Sequence, residues 1–78
     1  MQYDTDKVDD AVLALLLLTL HDQHENGARA WKGHSWEVLE RLHKKELIHN
    51  PVNREKSVVL TPEGLRKSRE LFEKLFAG

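Results

Sequence analysis

The run "AVLALLLLTL", residues 11–20, constrains the fold more than any other stretch, because nearly every position in it is apolar. A helix that is apolar on all sides must be covered on more than one side. Ten residues of α-helix rise only about 15 Å, half of what a bilayer core requires. We therefore expect a buried helix of a soluble protein rather than a membrane span, capped by Asp4, Thr5 or Asp6 and running toward His24.

The length of the chain bears on how that helix is covered. At 78 residues the chain is near the lower size at which a single core suffices for folding, so a second copy would be a natural way to add core. We predict one domain, residues 1–78, that forms a homodimer largely through helix one. The predicted interface residues, with Leu17 as the outward one, are Val12, Leu13, Leu16, Leu17 and Leu20.

Composition excludes several classes of function. The chain has no cysteine, which removes disulfides, thiolate catalysis and cysteine-ligated zinc, and fits a reducing compartment. The first ten residues, "MQYDTDKVDD", are acidic and so do not form the basic region of a signal peptide. We expect a cytoplasmic protein.

Charge is distributed unevenly along the chain. Residues 1–26 carry a net charge of −5 and residues 27–60 a net charge of +3, within a formal total of −1. A strongly basic domain would by itself indicate nucleic-acid binding. This mildly basic middle segment gives only a bias in that direction.

The remaining elements alternate between helix and strand. "ARAW" predicts a short extended piece, and Ser35 is placed to cap a second helix, "WEVLERLHKKE". "LIHN" and "SVVL" predict a β-hairpin around the loop "PVNREK". Thr61 and Pro62 are typical of a helix start, so a third helix follows. The order helix, strand, helix, hairpin, helix predicts an α+β fold.

This order resembles a winged helix. Many winged-helix regulators end their recognition helix as "LERLHKKELI" does, cross a two-stranded wing and close as "SVVLTPEG" does. The resemblance places the recognition-like helix at residues 36–45, the wing tip at residues 50–56 and the closing pattern at Leu60, Thr61 and Gly64. More closely, the motifs "ALLLLTLHD", "RAWKG", "LERLHKKELI" and "KSVVLTPEG" resemble a small bacterial family of unknown function, which implies a fold and no activity.

Two departures from the regulator pattern affect the expected structure. Only "GARAWKGH" separates helix one from the recognition-like helix, which is too short for the supporting helix of a complete helix-turn-helix, so the module is expected to be reduced. Glu46 stands where the regulators usually have glycine. A non-glycine residue in a left-handed conformation costs roughly 1 kcal/mol, so we expect this helix to end differently.

Two functional hypotheses from different classes follow. In the first, the protein is a DNA-binding transcriptional regulator or accessory factor whose phosphate contacts are Arg41, Lys44, Arg54 and Lys56. In the second, it is a homodimeric protein-interaction module of winged-helix type that does not bind DNA. The exposed side of helix two separates them, because Glu37 and Glu40 share that helix and carboxylates repel phosphate.

Metal binding and catalysis have little support in the sequence. His21, His24 and Glu25 share one face if residues 21–25 are helical, but they lack a fourth ligand, so we predict no metal site. Ser35 and Thr61 are better explained as helix caps than as nucleophiles, and no glycine-rich phosphate loop is present. We predict no enzymatic activity, no cofactor and no small-molecule ligand.

The two tryptophans leave an alternative open. Trp31 and Trp36 flank a short basic stretch and could form a stacking platform for bases or for a protein partner. Large aromatic residues in a small domain are more often part of the core. We predict that both belong to the core.

Overall fold

The computed structural model describes residues 1–24, 27–52 and 56–77. Within this part of the chain, three α-helices and a three-stranded antiparallel sheet form, which confirms the predicted α+β class. In chain order the elements are α1 (Thr5–Leu15), a 3-10 helix (Leu16–Thr19), β1 (His21–His24), β2 (Gly27–Trp31), α2 (Trp36–Lys44), β3 (Ser57–Leu60) and α3 (Pro62–Phe76).

Helix α1 begins as predicted but ends early. The Asp4 side chain caps it by accepting hydrogen bonds from the backbone N–H groups of Asp6 and Lys7. The expected continuation to His24 is wrong, because the backbone becomes extended at Leu20 and enters β1. The polar sequence of β1 has little apolar surface to bury as a helix, whereas as a strand its backbone pairs with β2. Among the described residues, no helix is long and apolar enough to cross a membrane.

The sheet has the strand order β1-β2-β3. The predicted extended piece "ARAW" is confirmed as part of β2, the central strand, in which Ala28 pairs with Leu60 and Ala30 with Val58. The predicted hairpin between "LIHN" and "SVVL" is reduced to one isolated bridge, Ile48 to Leu60. Strand β3 instead pairs mainly with β2. Residues 53–55 of the predicted wing tip lie outside the described residues.

The helices cover one face of the sheet and leave the other open. Helices α1 and α3 pack against each other, and the Ser68 hydroxyl of α3 donates to the backbone carbonyl of Leu13 in α1 at 2.7 Å. The inward residues of β2 and β3 are fully or almost fully buried beneath the helices. The resulting core cluster consists of Leu13, Leu16, Ala28, Ala30, Val38, Leu39, Leu42, Leu47, Ile48, Val58, Leu60 and Leu65.

Neither tryptophan belongs to this core, so that prediction is wrong. Trp31 is 52% exposed and Trp36 is 46% exposed. Trp31 follows Ala30 in β2, and alternation along the strand turns it to the open side of the sheet. Trp36 is the first residue of α2, where its indole N–H donates to the Glu40 carboxylate at 2.8 Å. Ser35 does precede α2, but its side chain makes no capping hydrogen bond.

Helix α2 ends in a left-handed residue although that residue is not glycine. Glu46 has φ 62°, so the expectation of a different helix end is wrong. The N–H of Glu46 donates to the carbonyl of His43 and the N–H of Leu47 to that of Leu42, the pattern of a Schellman motif. These hydrogen bonds, together with the anchoring of Leu47 described next, hold Glu46 in its strained conformation.

Thr61 joins this turn to the start of α3. Its hydroxyl accepts a hydrogen bond from the N–H of Gly64 at 3.0 Å, which confirms the predicted cap, and it donates to the carbonyl of Glu46 at 2.8 Å. The backbone N–H of Thr61 donates to the carbonyl of Leu47 at 3.1 Å. One threonine therefore fixes both the end of α2 and the beginning of α3.

Gly64 is required by the close approach of two backbones at the same junction. A Cβ atom at this position would lie 1.8 Å from the carbonyl oxygen of Leu47 and 2.7 Å from its carbonyl carbon. A contact this short with backbone atoms forces the elements apart. Gly33 has no atom within 4 Å of its corresponding Cβ position.

We predict that Gly64→Ala lowers the free energy of unfolding by about 2 kcal/mol or more, because α3 must move away from Leu47. Gly33→Ala is the matched control and should change stability by less than about 1 kcal/mol, because its Cβ meets open space. Urea denaturation of the two variants measures the difference. Equal stability of both would show that α3 does not approach Leu47 this closely.

We predict that Thr61→Ala destabilises the protein by about 1–2 kcal/mol, because the cap of α3 and the bond to Glu46 are lost together. Thr61→Ser retains the hydroxyl and should recover most of this loss. Thermal melts of both variants provide the measurement. A melting temperature unchanged by Thr61→Ala would contradict the role of this hydroxyl.

Candidate functional site

A buried carboxylate connects α1 to α2. Asp9 is fully buried, and the Arg41 guanidinium donates to both of its oxygens, with Nε–Oδ2 and Nη2–Oδ1 distances of 2.8 Å. Lys45 Nζ lies 3.1 Å from Asp9 Oδ2 and 3.2 Å from Asp6 Oδ1. A buried charge is tolerated only when it is paired and hydrogen-bonded, and this arrangement supplies both.

The pKa values of these groups reflect the same contacts. Hydrogen bonds from Arg41 lower the pKa of Asp9; burial opposes this shift, and Lys45 adds to it. Burial alone would lower the pKa of Lys45, but its hydrogen bonds to Asp9 and Asp6 outweigh burial and raise it. Asp9 and Lys45 are therefore charged at neutral pH, and together with Arg41 they form an ion cluster that holds the two helices together.

Three of the four residues predicted to contact DNA lie in the described part of the chain. Arg41 is held by Asp9, and its side chain is only 30% exposed. Lys44 and Lys56 are exposed on α2 and beside β3. Arg54 lies outside the described residues. The pairing of Arg41 was missed at the sequence level because Asp9 and Arg41 are 32 residues apart in the chain.

The predicted dimer residues differ in how much surface they offer. Leu13 and Leu16 are fully buried within one chain, so they have no surface to present to a second copy. Val12, Leu17 and Leu20 are partly buried. The most exposed leucines of this segment are instead Leu15, at 37%, and Leu18, at 67%.

Leu15 and Leu18 continue a stripe that sequence reasoning missed. Ala11, Leu15 and Leu18 are spaced four and three residues apart, which places them on one side of the helical segment. We call these three residues the α1 stripe. The spacing is present in the sequence, but the neighbouring positions are also apolar, so the sequence does not show which stripe is exposed. Tertiary packing decides this.

A second exposed feature lies on the open side of the sheet. The rings of Trp31 and His21 are stacked with their centroids 4.8 Å apart and their planes tilted by 31°. The backbone N–H of Trp31 donates to the Thr19 hydroxyl at 3.1 Å, and His21 Nδ1 donates to the Thr19 carbonyl at 2.9 Å. Thr19 thus holds the His21 ring and the backbone of Trp31, and we call the two stacked rings the ring pair.

The histidine cluster considered for metal binding is not on a helix. His21 and His24 lie on β1, so the shared helix face is absent, and Glu25 lies outside the described residues. In the parts of the chain that the structure covers, no three potential ligands are grouped in a way that could hold a metal ion.

Comparison with known proteins shows which family this small α+β chain belongs to. The chain belongs to the family described as "Domain of unknown function (DUF6429)", whose model matches residues 4–78. The "Uncharacterized protein y4hR" of Sinorhizobium fredii (strain NBRC 101917 / NGR234) is 58% identical over 76 residues, which cover 97% of each chain. No solved structure matches the chain.

We predict that Asp9→Asn lowers the free energy of unfolding by about 3 kcal/mol at neutral pH, because Arg41 and Lys45 lose their shared counter-charge. Asp10→Asn is the control, since Asp10 has no ion pair among the described residues. Urea denaturation at neutral pH measures both. An equal effect of the two variants would contradict the role assigned to Asp9.

The pH dependence of stability follows from the direction of the Asp9 shift. The pKa of Asp9 is lower in the folded chain than its unfolded value of about 3.9, so the stabilisation is complete above that value and is lost as pH falls through the folded pKa. Asp9→Asn should therefore flatten the acid limb of the stability curve. A limb of unchanged slope would contradict the assignment.

Proposed function

We propose that this protein is a homodimeric protein-interaction module of reduced winged-helix type, and that α2 does not read duplex DNA. The order of elements supports the winged-helix type, because β3 lies between β2 and Ile48 as the last strand of a wing would. Strand β1 is an addition to that frame. Between α1 and α2, where a complete helix-turn-helix would have its supporting helix, this chain has β1 and β2.

The α1 stripe is the observation that carries the proposal. Its two leucines are exposed, and a chain this small gains stability from burying more apolar surface. Burying one leucine contributes about 2 kcal/mol. In a two-fold dimer the same patch from each copy meets itself, so a short apolar stripe on one helix is doubled at the interface. The stripe therefore favours a second copy of this chain as its partner.

The charges on α2 argue against duplex DNA as the ligand. Arg41 already binds Asp9, and Lys45 binds Asp9 and Asp6, so two bases near the end of α2 are neutralised within the chain. The exposed residues of α2 include Glu37 and Glu40, whose carboxylates would repel a phosphate backbone. These contacts support an interaction role in preference to the regulator hypothesis.

We predict that the wild-type protein sediments as a dimer at micromolar concentration and that Leu18→Arg shifts it to a monomer without unfolding it. A charge placed in the α1 stripe must be buried unpaired if the dimer forms. Analytical ultracentrifugation gives the mass, and circular dichroism checks that the variant remains folded.

Leu75→Arg is the matched control for this experiment. Leu75 is an exposed leucine near the other end of the α1–α3 pair, where it lies beside Lys7. This variant should remain dimeric. A monomeric wild type, or a dimer dissociated by Leu75→Arg and not by Leu18→Arg, would contradict the proposal that the α1 stripe forms the interface.

A further inference from the structure

The α1 stripe by itself offers little surface to a second copy. Leu18 is largely exposed, whereas Ala11 and Leu15 are each more than half buried. Burying a fully exposed leucine removes on the order of 100 Å² of apolar surface from water, so the stripe offers no more than roughly 200 Å². A specific interface buries at least about 500 Å² on each partner. The homodimer therefore needs further surface beside the stripe.

Thr19 joins the exposed end of the stripe to the ring pair. It follows Leu18 directly in the 3-10 helix, and its carbonyl accepts a hydrogen bond from His21 Nδ1. Its hydroxyl accepts a hydrogen bond from the backbone N–H of Trp31. Leu18 and the ring pair are therefore neighbours on the surface, held together by one residue.

Apart from the stripe and Trp31, the exposed large apolar side chains of the described residues belong to other elements. Leu75 lies beside Lys7, at the end of α1 opposite to Leu18. Trp36 is the first residue of α2. The remaining members of this set, in the segment before α1, after Ile48 and at the end of α3, are Met1, Tyr3, Val52 and Phe76. The ring pair is therefore the aromatic surface that adjoins the stripe.

The basic side chains nearest to Trp31 in β2 and after it have hydrogen-bond partners within the chain. Arg29 Nη1 donates to the Ser57 hydroxyl at 3.3 Å, and Lys32 Nζ donates to the Pro51 carbonyl at 3.0 Å. Neither side chain therefore requires a ligand to satisfy its donors. What this part of the sheet leaves accessible is the aromatic surface of Trp31, which is about half exposed.

We propose that the ring pair completes the homodimer interface, with Trp31 of each copy packed against the second copy beside the α1 stripe. This surface belongs to the homodimer proposed above, on which the assignment rests, and it supplies area that the stripe lacks. Tryptophan is enriched among the residues that contribute most to the affinity of protein interfaces. Association requires little ordering of the rings, because His21 is bonded to Thr19 and stacks on Trp31 within one copy.

A two-fold arrangement doubles the contribution of the ring pair. Each copy presents the same patch to its partner, so the stripe and the rings are buried twice in one dimer. An aromatic side chain buries about 150–250 Å² in full, so a half-exposed Trp31 adds roughly 100 Å² on each copy. Together the stripe and Trp31 form an apolar centre, and the polar residues around them supply the rim that interfaces generally have.

Sedimentation of the full-length chain over a range of concentrations tests the proposal. Trp31→Ala should raise the dissociation constant of the dimer about thirtyfold, a size typical of an interface tryptophan. Trp31→Phe retains an aromatic ring and should recover most of this loss. Trp36→Ala is the matched control, because Trp36 is similarly exposed but lies on α2, and it should leave the dissociation constant unchanged. Circular dichroism checks that each variant is folded.

Tryptophan fluorescence tests the position of Trp31 directly. The chain has two tryptophans, so Trp31 is the remaining one in Trp36→Phe. Its emission should shift to shorter wavelength as the protein concentration rises through the dissociation constant measured by sedimentation, because association removes the ring from water. In the double variant Leu18→Arg/Trp36→Phe, the emission should stay at longer wavelength at every concentration.

The role of the ring pair and the existence of the dimer are tested by different outcomes. A dimer that Leu18→Arg dissociates, but in which Trp31→Ala leaves the dissociation constant unchanged, would overturn the assignment of the ring pair and leave the homodimer standing. An equal loss with Trp36→Ala, or Trp31 emission that does not change on dimerisation, would also overturn this assignment. A wild type that stays monomeric at micromolar concentration would instead overturn the proposed function itself.

Discussion

The ion cluster around Asp9 is the interaction on which the rest of the structure depends. A carboxylate without access to water must be paired, and Arg41 and Lys45 of the α2 region provide the pairing. The contact fixes α1 against α2 across the chain. It also pairs two basic side chains of the α2 region with a carboxylate, so they add little positive charge to the exposed surface of a recognition-like helix. This pairing is one reason for the proposal that α2 does not read duplex DNA.

Orientation of α1 follows from the same contact and from α3. With Asp9 directed to α2 and Leu13 hydrogen-bonded through its carbonyl to Ser68, two sides of the helix are occupied. Ala11, Leu15 and Leu18 lie on a side left over. An apolar surface of this kind on a small domain favours association, whereas the same residues would be unremarkable on a larger protein.

The two exposed surfaces differ in chemistry. The α1 stripe consists of aliphatic side chains, which favour burial against a like surface. The exposed side of the sheet instead carries the ring pair of His21 and Trp31. In the described part of the chain, the helices pack on one side of the sheet, and no helix covers the other side.

The sequence by itself determined the elements whose signals are local: α2 and α3, the capping role of Thr61 and the strand "ARAW". Their caps, periodicity and turn residues act within a few positions of each other. Tertiary structure decided the rest. Residues 21–24 became a strand because β2 offered backbone partners, Arg41 became internal because Asp9 lies against it, and Trp31 became exposed because only one face of the sheet is covered. Each outcome depends on a contact between segments distant in the chain, which local sequence does not encode.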